Sequence, residues 1–116
     1  MPAHMPIMNQ KEVLIYTDSR DKQPFIMWLE SLDMSVKHRV QQRILRLSSG
    51  NYGDYKFLDQ GVYELRLDFG PGYRIYFGED GTKIVVLLTG GDKKTQKHDI
   101  DKAIRYWTGY KEIKND

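Results

Sequence analysis

Between Tyr55 and Thr89 the chain breaks into four strand-like runs, YKFLD, VYELRLDF, YRIYFG and KIVVLLT, separated only by DQG, GPG and EDG. Each turn contains the glycine that tight reversals need, and links this short leave no room for crossovers. The predicted result is a β-meander over residues 55–89. KIVVLLT does not alternate, so it is expected inside the sheet with both faces covered. Within the hairpin, alternation sets Tyr63, Leu65, Leu67 and Phe69 on one face and Glu64, Arg66 and Asp68 on the other. A three-residue loop at Gly70-Pro71-Gly72 would pair Asp68 with Arg74 and Arg66 with Tyr76. Two arginines, a tyrosine and two carboxylates then share one polar face. That face reads either as a cross-strand ion-pair lattice or as fixed guanidinium forks matched to phosphate oxygens.

The flanks are simpler. EVLIYT (12–17) reads as a strand. A helix capped by Asp18 or Ser19 follows, with Pro24 in its first turn and Phe25, Trp28, Leu29 and Leu32 on one face. A second helix starts at Asp33 or Ser35 and stops at Gly50, with Val36, Val40, Ile44 and Leu47 inward. Its segment SVKHRVQQRILRLSSG (35–50) carries Lys37, Arg39, Arg43 and Arg46 and no acid, which suits either a solvated face or an RNA footprint. From about Thr95 the pattern returns to helix through Ile100, Ala103, Ile104 and Trp107, with a basic tail expected to fray after Gly109. The expected architecture is α+β: an N-terminal strand and helical hairpin on a mainly antiparallel sheet, closed by a C-terminal helix.

Composition excludes several classes. With 116 residues, 40% apolar and 29% charged, the chain suits one domain with a modest core. It has no cysteine, which removes disulfides and thiolate metal sites. His4, His38 and His98 lack ligand spacing, so neither a metal nor a cofactor is expected. No apolar run approaches the roughly 20 residues that span a bilayer, so no membrane partner is expected. MPAHMPIMNQ lacks the features of a signal peptide. Residues 1–10 read as a flexible tail before a single domain over 11–116, with the cytoplasm as the expected location. LLTGGDKKTQKHD (87–99) places a glycine pair before Lys93, Lys94, Lys97 and His98, but Asp92 intervenes where a P-loop needs its lysine.

Taken in order, GVYELRLDFGPGYRIYF (61–77) and VVLLTGGDKKTQKHDIDKA (85–103) resemble the addiction-module killer proteins of the RelE/HigB toxin superfamily. The likeness runs from about Glu12 to Trp107. It implies a RelE-like fold and a cognate helix-turn-helix antitoxin. It further implies a ribosome-dependent mRNA endoribonuclease that cuts in the A site without metal. In such cleavage the RNA 2′-hydroxyl attacks the adjacent phosphorus while the P–O5′ bond breaks, leaving a 2′,3′-cyclic end. By the resemblance, Arg74 and Arg66 hold the scissile phosphate, Lys94 or Lys93 and Lys56 support it, and the Arg39–Arg43–Arg46 stripe docks ribosomal RNA. Glu64 stands where the best-studied type has a lysine. That type's C-terminal tyrosine has no equivalent here, which leaves His98 or Tyr76 for proton transfer. The same departure admits the ParE-like alternative, a gyrase inhibitor that cuts nothing.

Overall fold

The computed structural model describes residues 10–115, and the expected flexible tail over 1–10 lies, Gln10 apart, outside them. Five strands, β1 (Glu12–Ile15), β2 (Tyr55–Phe57), β3 (Val62–Arg66), β4 (Arg74–Asp80) and β5 (Ile84–Gly91), form one sheet in the order β1-β5-β4-β3-β2. The last four make the meander, paired antiparallel, and β1 adds to β5 in parallel. That parallel pairing needs a crossover, supplied by α1 (Pro24–Glu30) and α2 (Met34–Ser48). A third helix, α3 (Gln96–Lys114), closes the chain, and the fold is α+β as expected.

Two cores lie on opposite faces of the sheet. Phe25 and Leu29 of α1 and Val40 and Leu47 of α2 pack on Leu65, Ile75, Phe77, Val85 and Leu87. Ala103 and Trp107 of α3 pack on Val62, Tyr76, Val86 and Leu88. Residues 85–91 of β5 are all buried, which is why that strand shows no alternation. The glycine pair at its end serves packing. A Cβ at Gly90 would overlap the Trp28 indole, and one at Gly91 would overlap the Asp99 carboxylate.

Several boundaries differ from the sequence reading. α1 begins at Pro24, with Pro at its start. Asp18 instead closes a turn, its Oδ1 accepting from the N–H of Arg20 (2.8 Å) and of Lys22 (2.9 Å). β2 stops at Phe57, because Gln60 turns left-handed (φ 59°) and redirects the chain. α3 does not fray after Gly109 but runs on to Lys114. Its last turns are tied to the β4 end, where the Tyr110 hydroxyl donates to Asp80 (2.8 Å) and Lys114 pairs with Asp80 (3.2 Å).

The hairpin register also needs correction. Arg66 pairs with Arg74 and Glu64 with Tyr76. The loop is longer than three residues, since the Leu67 N–H donates to the Tyr73 carbonyl (2.9 Å). Residues 63–66 and 74–77 keep their expected faces, but their cross-strand partners move by two residues. Asp68 falls in the loop, exposed, and takes no part in an Arg74 pair.

Candidate functional site

Glu64 is the centre of the α3-facing side of the hairpin. Its carboxylate is fully buried and gathers three hydrogen-bond donors and one further cation. Oε2 accepts from the Tyr76 hydroxyl (3.1 Å) and from Gln96 Nε2 at the start of α3 (2.9 Å). Oε1 accepts from Arg66 Nε (3.2 Å). Arg74 Nε lies 3.5 Å from Oε2, close enough for charge attraction although not a well-formed hydrogen bond. A buried carboxylate is costly unless paired and hydrogen-bonded, and here two cations and two neutral donors supply both.

The register explains the assembly. Directly paired residues share a face, so Lys56, Glu64, Tyr76 and Thr89 form one row across β2, β3, β4 and β5. Arg66 and Arg74 form the next row, ending at Gly91. Arg74 is the more enclosed, 12% exposed against 38% for Arg66, and its Nη1 donates to the Gly72 carbonyl (2.5 Å). Burial, then the Glu64 charge and hydrogen bond, push the Tyr76 hydroxyl pKa well above its ordinary value, outweighing the opposite pull of Arg74. At neutral pH Tyr76 is therefore a donor to Glu64.

The chain after β5 brings the lysines near. Asp92 Oδ1 accepts from the Thr95 N–H (3.1 Å), and this turn exposes Lys93 and Lys94 at its tip. The Lys93 N–H donates to the Pro71 carbonyl (3.3 Å), joining that tip to the loop that holds Arg74. Lys56 is exposed beside Glu64 on the edge strand. His98 is exposed on α3 and sits two residues from Gln96, so it points roughly 200° around the helix from the residue that reaches Glu64.

The basic stripe of α2 divides. Arg39 and Arg46 are exposed, and the Arg39 guanidinium lies 3.6 Å from the centre of the Phe69 ring. Arg43 is only 7% exposed. It lies on the helix's apolar stripe, three residues after Val40 and four before Leu47. All three arginines line a cleft of about 520 Å³ together with Arg66 and Asp68.

The sequence reading missed the role of Glu64 as hub and that of Gln96 altogether. A signal for both was present. If a helix covers the second face of β5, the neighbouring strands' polar face must lie partly beneath it too.

Fold and site together define a small α+β protein that holds two guanidinium groups side by side on a buried carboxylate, next to a lysine-bearing turn. A family model described as Phage derived protein Gp49-like (DUF891) matches residues 27–108. The chain belongs to that family, which is associated with the killer proteins of toxin–antitoxin systems. A relative in Haemophilus influenzae, itself an uncharacterized protein, is 45% identical over 80 residues, covering 68% of this chain and 81% of its own length.

Proposed function

We propose that the protein is the toxin of a type II toxin–antitoxin pair, an endoribonuclease of RelE/HigB type that cuts mRNA in the ribosomal A site. The observation that carries this reading is the Arg66–Arg74 pair, adjacent across two strands and anchored through Glu64. Rigid strands hold such forks better than a loop could, and planar guanidinium groups match phosphate oxygens. As the 2′-hydroxyl attacks, charge develops on the phosphate oxygens, and Arg74 and Arg66 stabilise it with support from Lys93, Lys94 and Lys56.

The attacking 2′-hydroxyl must give up its proton, to solvent or a base, and the leaving 5′-oxygen must gain one. Tyr76 is a poor source because its hydroxyl already donates into a buried carboxylate. His98 is the accessible alternative, but it lies on the side of α3 away from Gln96, so it serves only an RNA strand that wraps over the α3 start. The partners that follow are the ribosome with its message and a cognate helix-turn-helix antitoxin, both met in the cytoplasm.

One observation favours the ParE-like reading. Glu64 draws both guanidinium charges inward, as a purely structural anchor would. Induction without antitoxin separates the two: Arg74→Ala abolishes growth arrest if the protein is a nuclease, and spares it if the protein poisons gyrase through a docking surface.

A further inference from the structure

The cleft between α2 and the end of β3 is built around a buried charge with, among the described residues, no carboxylate in direct contact. The Arg43 guanidinium is fixed rather than mobile. Its Nη2 donates to the Asp54 carbonyl (3.2 Å), and it presses on Gly53, where an added Cβ would lie 2.7 Å from Nη2. Gly53 is left-handed (φ 63°), so glycine suits both its backbone and its neighbour. Nη1 is buried without a hydrogen-bond partner. Burial, with Arg46 alongside, lowers the Arg43 pKa, against the pull of Asp54 and Asp68. Among the described residues no carboxylate lies within salt-bridge distance of Arg39, Arg43 or Arg46. Stability alone does not account for a buried guanidinium with one nitrogen left unpaired, because an apolar side chain of similar length is commonly no worse.

We infer that this cleft binds a backbone phosphate of a single RNA strand, with Arg43 Nη1 as the buried donor and Arg46 and Arg39 as the exposed clamps. Arg66 lines the same cleft while its Nε bonds Glu64, so a strand seated on the arginine pair reaches the cleft by passing round the end of β3. The Arg39–Phe69 stack offers a flat platform to a flanking base, which an acidic peptide would not use. The cleft volume is within the roughly 300–1,000 Å³ typical of small-molecule sites, enough for one nucleotide. The inference rests on the RNA reading above for the ligand's identity, and it assigns the cleft to the substrate strand rather than to ribosomal RNA.

The test is titration calorimetry of the full chain with a 2′-O-methyl trinucleotide, which binds but cannot be cut. Arg46→Gln, on an exposed side chain, should fold normally, weaken binding about tenfold and flatten the salt slope by about 0.7, the value for one single-strand phosphate contact. Arg43→Met should also weaken binding while leaving the melting temperature of the free protein unchanged or raised, a split that a merely structural arginine would not give. Unchanged affinity in Arg46→Gln overturns the inference. So does a cleft that takes inorganic phosphate or an acidic peptide but not the oligonucleotide. Binding is read here apart from cleavage, so a protein that binds the trinucleotide through this cleft but leaves a message intact in primer extension would sink the nuclease reading alone.

Discussion

Glu64 holds together groups that would otherwise repel, and single substitutions around it have separable consequences. Glu64→Gln keeps the shape but leaves Arg66 and Arg74 facing each other without a counter-charge. The expected loss is about 3 kcal/mol in urea unfolding, at the low end for a broken buried pair because Arg66 can turn to water. Tyr76→Phe removes one hydrogen bond to a charged acceptor and should cost about 1.5–3 kcal/mol. Cleavage by Tyr76→Phe should keep the wild-type pH profile, whereas His98→Gln should lose one limb of it; the reverse outcome would make Tyr76 the proton donor. Neither the hub nor the seat of Arg43 was plain in the sequence. A glutamate in an alternating strand reads as surface until a helix is known to cover that face. Arg43 reads as part of a basic stripe, although its spacing to Val40 and Leu47 already set it on the buried one.

At the scale of elements, the meander was legible from the glycine in each of its turns, and the three helices from their apolar faces at helical spacing. The hairpin register was not, because two registers that differ by two residues put the same side chains on the same faces. Only the loop decides between them, and its length follows from the Leu67–Tyr73 hydrogen bond. The glycine pair at the end of β5 invited a ligand-binding interpretation, but its neighbours are Trp28 and Asp99. Gly90→Ala should therefore destabilise the fold by about 1–3 kcal/mol through overpacking, measured by thermal or urea unfolding, with the arginine pair still in place in those molecules that fold.

The molecule as a whole should respond to alkali through its tyrosines. Burial and the carboxylates beside them push Tyr63 and Tyr110 up to about 12, and Tyr52 and Tyr76 shift the same way. Each raised pKa means that the unfolded chain releases its proton near the ordinary value of 10.0 while the folded chain still holds it. The associated stability is complete below about pH 10 and is lost as pH rises through 12. Tyrosinate absorbance should therefore appear together with loss of far-ultraviolet signal; tyrosinate forming freely near pH 10 in folded protein would contradict the packing described.

The proposed activity is likewise a property of the whole assembly, since on that reading the paired arginines matter only if a message reaches them. Primer extension on a defined mRNA, with the protein added to stalled ribosomes and to naked message in parallel, tests this most directly. The account predicts cuts within the A-site codon only when ribosomes are present, reduced by about 10²–10³ in Arg74→Ala. An intact message in both reactions, from folded protein that still arrests growth, would contradict it.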